Sequence, residues 1–183
     1  MASKFIAVLI LSAFASNANA EAEVQSIHTR IAGKACVRHV DDEISGASTL
    51  SCPGVAGFKL QVIEDDGRFS INVQSPNNRI FELNYWDVIT RGFSSLGTHA
   101  EWRVRTAGGK GVPAALIVRV IRHEQAASGT PRSRHLLAVA QIRQNTSCVV
   151  ATLSASTPDA WEQARTIADG FPPPCLTSIL NRK

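Results

Sequence analysis

The 183-residue sequence predicts an α+β fold, with one domain built mainly from an antiparallel β-sheet of about seven to nine strands that can curl toward a barrel. Three strand-length runs of Val, Ile, Leu and Ala lie between Pro113 and Ser156, separated by turn residues. An Asp66-Gly67 pair joins two segments of alternating apolar and polar residues, which is the pattern of a hairpin. One helical segment follows the last apolar run. A chain of this length can bury a core as a single domain.

Alternating apolar residues predict the strands that precede the central runs: one or two in residues 24–40, and one each in residues 58–63, 68–74, 79–86 and 101–105. Residues 41–51 and 87–99 lack this regularity and are predicted to be loops, and residues 108–111 a hairpin turn. The central runs at 115–121 and 136–142 are almost continuously apolar, which is typical of strands covered on both faces.

The last regular element is predicted to be a C-terminal helix. Thr157 is a suitable N-cap, and Pro158 fits the first helical position. Gly170 ends the helix, and the prolines at positions 172–174 prevent its continuation. We expect this helix to pack on the sheet.

The N-terminus has the pattern of an export signal. Residues 1–4 form a short, positively charged segment, and residues 5–14 form an apolar segment. The sequence that ends at Ala20 is a small-x-small cleavage site. The apolar segment is too short to span a bilayer, which needs about 20 residues. We expect a signal peptide over residues 1–20, cleaved after Ala20, and a single domain over residues 21–183. The mature protein is expected to be periplasmic or secreted, with no membrane span.

Four cysteines form an even number in a chain that is expected to be exported, so we expect them to form disulfides. Four cysteines allow three pairings, and the sequence does not select among them. Proximity along the chain favours Cys36 with Cys52 and Cys148 with Cys175. A zinc site would need closely spaced thiols such as Cys-x-x-Cys, and this spacing does not occur.

A set of arginines on predicted neighbouring strands is the strongest candidate for a binding site. Arg119 interrupts an apolar run, where a charge is costly unless it is paired or functional. One interpretation is a site at which a forked guanidinium binds a carboxylate or phosphate. The other is a structural ion pair of Arg119 with Glu101 or Glu82. The candidate ligand-binding residues are Arg103, Arg105, Arg119, Arg122, Arg143 and Glu101.

No catalytic residue, cofactor or metal site is predicted. The Gly-x-Ser-x-Gly motif of many serine hydrolases does not occur. The glycines at residues 108–111 lack the spacing of a phosphate-binding loop, and the five histidines lack metal-binding spacings. The net charge of +4 is too small to indicate nucleic-acid binding.

Several short motifs are shared with a group of bacterial proteins. They are the opening Cys36 and Cys52-Pro53-Gly54, the central Leu96-Gly97, Glu101-Trp102-Arg103 and Leu116 to Arg119, and the closing Cys175. In these motifs the chain resembles small exported proteins of alphaproteobacteria, of the rhizobial type, to which no activity is assigned. The resemblance implies a periplasmic location. It supplies no catalytic residues.

The sequence thus favours a non-enzymatic binding or inhibitor-type module, whose expected partner is an envelope or extracellular protein. Exported β-rich domains with disulfides and no catalytic signature bind more often than they catalyse. The alternative is a small anionic-ligand carrier or a hydrolytic enzyme that acts at the arginine-bearing face, and a third interpretation is a purely structural envelope protein.

The pairing of Arg119 distinguishes these interpretations. A closed ion pair of Arg119 would argue against a ligand site at the arginine-bearing face. An unpaired Arg119 that opens to a pocket would favour one. The sequence leaves the oligomeric state open.

Overall fold

Ten strands in the described residues form two five-stranded sheets, and every neighbouring pair of strands is antiparallel. The computed structural model describes residues 23–125, 129–143, 145–171 and 173–181, so the predicted signal peptide lies outside the described residues. The mostly antiparallel α+β class with one C-terminal helix is confirmed. The strands number ten rather than seven to nine, they are divided between two sheets, and neither sheet closes on itself.

The first sheet contains the predicted central meander. With strands numbered along the chain, it consists of β1 (Val24–Arg30), β7 (Ser94–Ala107), β8 (Lys110–Gln125), β9 (Pro131–Ile142) and β10 (Ser147–Ser154), in the order β1-β7-β8-β9-β10. Strand β7 begins at Ser94, so the predicted loop over residues 87–99 is wrong in its second half. The predicted turn between β7 and β8 is present, and Gly108 and Gly109 adopt positive φ angles of 56° and 74° there.

The second sheet contains the predicted Asp-Gly hairpin. It consists of β2 (Val37–Val40), β3 (Ser48–Pro53), β4 (Lys59–Asp65), β5 (Arg68–Gln74) and β6 (Ile80–Glu82), in that order. Asp66 and Gly67 both have positive φ, which matches the twist of the two strands that they join. Strand β3 occupies the end of the predicted loop over residues 41–51. The predicted strand over residues 79–86 is shorter, because the chain turns after Glu82 into a single helical turn, α1 (Tyr85–Val88).

The two sheets pack face to face, and a helix covers the other face of the first sheet. Leu116, Val118 and Val120 of β8 belong to the core between the sheets. Ala115 and Ile117 belong to a second apolar cluster, which includes the buried face of the helix. This two-sided burial explains why the β8 sequence is almost continuously apolar. We call the helix-covered face of the first sheet its outer face.

The helix on the outer face is α2 (Ala160–Asp169). Asp159, not Thr157, is its N-cap, because Thr157 accepts a hydrogen bond from the Ala160 amide and closes a separate turn before the helix. Gly170 follows the last helical residue as predicted. Three alanines four residues apart, at positions 160, 164 and 168, are buried against the sheet, since their small side chains allow close approach.

Two disulfides join the pairs that proximity favoured. Cys36 is bonded to Cys52, which ties the segment after β1 to strand β3. Cys148 of β10 is bonded to Cys175, which ties the segment after α2 back to the first sheet. No helix in the described part of the chain is long and apolar enough to cross a bilayer.

Candidate functional site

A cleft of about 640 Å3 opens between the outer face of the first sheet and α2. We call it the helix cleft. It is lined by charged, aromatic and aliphatic side chains from β1, β7, β8, β9 and α2, chiefly His28, Glu101, Arg119, Ile121, Trp161 and Arg165. Two of the candidate residues that the sequence singled out, Glu101 and Arg119, line this cleft together.

Arg119 is half-buried and has no carboxylate partner within 4 Å among the described residues. Its guanidinium carbon lies 5.9 Å from the centre of the Trp161 ring, at the outer limit of a cation–π contact. The interpretation of Arg119 as part of a structural ion pair with Glu101 or Glu82 is therefore wrong. Glu101 is paired with other arginines, and Glu82 lies on β6 in the second sheet.

A glycine on the neighbouring strand makes room for the Arg119 side chain. The register between β7 and β8 shifts between Leu96 and Ala100, and Gly97 lies in this irregular segment. A Cβ atom at Gly97 would lie 3.1 Å from the Cβ of Arg119, which is tighter than ordinary packing. The close approach of Gly97 therefore helps to set where the guanidinium can lie.

Glu101 forms the charged floor of the cleft, with a side chain that is fully buried. Its carboxylate accepts hydrogen bonds from Arg165 Nε at 2.7 Å and Nη2 at 3.1 Å, and from Ser26 Oγ at 2.6 Å. His28 Nε2 lies 3.5 Å from the second oxygen. Burial by itself would raise the pKa of Glu101, but the hydrogen bonds from Arg165 and Ser26 outweigh it, and the pKa lies below its ordinary value. Glu101 is therefore an ionised anchor for α2.

Arg103 and Arg105 also fasten the helix to the sheet. Arg103 donates two hydrogen bonds to the carboxylate of Asp169, from Nε at 2.8 Å and Nη2 at 2.5 Å. The hydrogen bond to Asp169 raises the pKa of Arg103. Arg105 donates to the backbone carbonyl of Asp169 at 2.6 Å. Both predicted site residues thus contact the last residue of α2 rather than line the cleft.

The remaining two predicted arginines lie outside the cleft. Arg122 is an odd number of residues from Arg119 on β8, so its side chain leaves the opposite face of the sheet, where it pairs with Glu124. Arg143 follows the end of β9 and donates to the Gln141 side chain, from Nε at 3.0 Å. The predicted arginine-bearing face therefore brings one arginine, Arg119, to the cleft without an ion pair among the described residues.

The sequence reasoning missed the cleft residues on α2. These are Trp161 and Arg165, which are four residues apart, and Asp169, the partner of Arg103, follows after four more, so the three side chains follow one edge of the helix. That spacing was a usable signal. The three histidines that line the cleft, His28, His99 and His135, come from three different strands and have no common spacing in the sequence.

Comparison with known proteins identifies no relative. No protein-family model, curated protein or solved structure matches this chain. Among the described residues, no group of three or more His, Cys, Asp or Glu side chains is arranged to hold a metal ion.

Proposed function

We propose that this protein is a non-enzymatic binding module and that its ligand is a small organic anion held in the helix cleft. The observation that carries this proposal is Arg119. Its guanidinium lines a cavity of about 640 Å3, and no carboxylate among the described residues neutralises it. This volume falls within the range of about 300 to 1,000 Å3 that is common for small-molecule sites. A guanidinium fork can donate two parallel hydrogen bonds to a carboxylate or phosphate.

The acidic group of the cleft is better suited to holding the helix than to catalysis. A general acid or base needs a pKa near the working pH and a free lone pair or proton. The pKa of Glu101 is lowered, and its oxygens are engaged by Arg165 and Ser26. This arrangement favours a binding protein over a hydrolytic enzyme.

Calorimetric titration of the mature domain with sodium benzoate, sodium hexanoate and phenyl phosphate tests this proposal. We expect at least one of these anions to bind the wild type in the micromolar to low millimolar range. Arg119→Ala should weaken that binding at least about tenfold, which corresponds to about 1.4 kcal/mol. Arg143→Ala is the matched control, since it removes an arginine that lies outside the cleft. Absence of binding by all three anions, or equal binding by Arg119→Ala, would contradict the proposal.

A protein partner is the second candidate function, and strand β2 favours it. This strand is the outermost one of the second sheet, and all four of its residues are exposed, with Val37 at 62 % and Val40 at 61 %. An exposed edge strand can be extended by a strand of another protein. Capture from an alphaproteobacterial envelope extract with the wild type and with a Val37→Lys/Val40→Lys variant tests this. A partner protein that is captured by the wild type and by Arg119→Ala, but not by the double-lysine variant, would support binding at β2. Equal capture by the wild type and both variants would refute it.

We also propose that the protein is exported. Its two disulfides suit an oxidising compartment. Expression of the full chain in a Gram-negative host, followed by mass measurement of the periplasmic fraction, tests this proposal. We expect a mature chain that begins at Glu21, and a full-length product confined to the cytoplasm would contradict export.

A further inference from the structure

We infer that the ligand of the helix cleft is a singly charged carboxylate with an apolar body, and that a doubly charged phosphate ester binds less well. This inference rests on the proposed function, because it specifies the anion that Arg119 holds. It follows from the charge balance of the cleft and from the side chains next to Arg119.

Among the described arginine and carboxylate side chains that line the cleft, one positive charge has no partner of opposite charge. Glu101 and Arg165 form a hydrogen-bonded pair whose charges cancel. Behind this pair, the charges of Arg103 and Asp169 cancel in the same way. Of the two arginines that line the cleft, Arg119 therefore remains as the one without a carboxylate partner.

One uncompensated guanidinium matches one carboxylate. A phosphate monoester carries a charge of about −1.5 to −2 at neutral pH. Its second charge would find no further unpaired arginine, because the other arginine that lines the cleft, Arg165, is already paired with Glu101. A negative charge that leaves water without a partner of opposite charge is costly. A monoanion avoids this cost.

An apolar wall begins beside the guanidinium. Ile121 lies two residues beyond Arg119 on β8, on the same face, so their Cα atoms are about 7 Å apart. Ile121 is half-buried and belongs to neither of the two apolar clusters. Trp161 flanks the guanidinium from the helix side. A carboxylate bound at Arg119 can therefore rest its chain or ring between Ile121 and Trp161.

Two matched comparisons by calorimetry at pH 7.5 test the inference. Benzoate against phenyl phosphate changes the head group and its charge, and hexanoate against acetate changes the apolar body. We expect benzoate to bind at least about fivefold more tightly than phenyl phosphate, and hexanoate at least about fivefold more tightly than acetate. Ile121→Thr should weaken hexanoate and leave the weak binding of acetate unchanged. Thermal unfolding of this variant checks that the fold is intact.

The outcomes separate this inference from the proposed function. Tighter binding of phenyl phosphate than of benzoate, with loss of both in Arg119→Ala, would overturn the carboxylate preference and leave an anion site in place. Equal binding of hexanoate and acetate, or no effect of Ile121→Thr, would overturn the apolar body. Absence of any binding, or binding that does not depend on Arg119, would overturn both the inference and the proposed function.

Discussion

The buried carboxylate of Glu101 should contribute substantially to stability, and Glu101→Gln measures that contribution. The change keeps the shape of the side chain but removes the negative charge of the carboxylate, which binds the Arg165 guanidinium and accepts a hydrogen bond from Ser26. Removal of one partner of a fully buried ion pair costs about 3–5 kcal/mol. The Arg165 side chain is 41 % exposed and can be resolvated in part, so a smaller loss of about 2–3 kcal/mol is expected.

Urea unfolding at pH 7 with the disulfides intact measures this loss as a change in the free energy of unfolding. Glu64→Gln is the matched control, because the Arg38 partner of Glu64 is 58 % exposed and such pairs contribute about 0–1 kcal/mol. A double-mutant cycle with Arg165→Met should give a coupling energy of at least about 1 kcal/mol. If Glu101→Gln lowers the free energy of unfolding no more than the Glu64→Gln control, the contacts of the carboxylate do not outweigh the cost of its burial. That result would refute the assignment of Glu101 as an anchor.

Three further predictions concern stability. Because the pKa of Glu101 is lowered in the folded state, the carboxylate stabilises the fold fully above the unfolded pKa of about 4.3, and this stabilisation is lost as the pH falls through the folded pKa. Urea midpoints between pH 7 and pH 3 should therefore fall less steeply for Glu101→Gln than for the wild type. Parallel curves for the two proteins would contradict this. The disulfide of Cys148 and Cys175 spans 27 residues, so Cys148→Ser/Cys175→Ser should lower the free energy of unfolding by about 3.5 kcal/mol in the same assay. A decrease below about 1 kcal/mol would show that α2 needs no tether. The buried hydroxyl of Tyr85 has no hydrogen-bond partner among the described residues, so Tyr85→Phe should leave the melting temperature unchanged or raise it, and a clear decrease would reveal a partner.

The elements that follow from local pattern were predictable. Strict alternation located β4 and β5, and Asp66-Gly67 located the turn between them, because this dipeptide accepts the positive φ angles that the turn requires. The continuous apolar runs located β8 and β9 at the middle of the first sheet. Proximity in the sequence favoured the disulfide pairs that form.

Errors arose where tertiary contacts override the local pattern. Residues 94–99 were predicted to be a loop because they lack regular alternation, yet they extend β7, since pairing with β8 continues through a register shift. Tyr85 continued an alternating pattern, yet it is the first residue of a helical turn. Its backbone amide donates a hydrogen bond to the Ser70 hydroxyl of β5. Neither contact has a signal in the local sequence.

The sequence alone determined the fold class, the central strands, the helix that ends at Gly170 and the candidate set that contains Arg119. Each depends on periodicity, turn residues or the cost of a charge in an apolar run, and these are local properties of the chain. Only the tertiary structure decided which of the candidate arginines lines the helix cleft without an ion pair among the described residues. That outcome depends on α2, which packs across the outer face and brings Arg165 to Glu101, Asp169 to Arg103 and Trp161 to Arg119. The partners in these contacts are more than 40 residues apart in the sequence, so which side chains pair is decided only when the helix packs on the sheet.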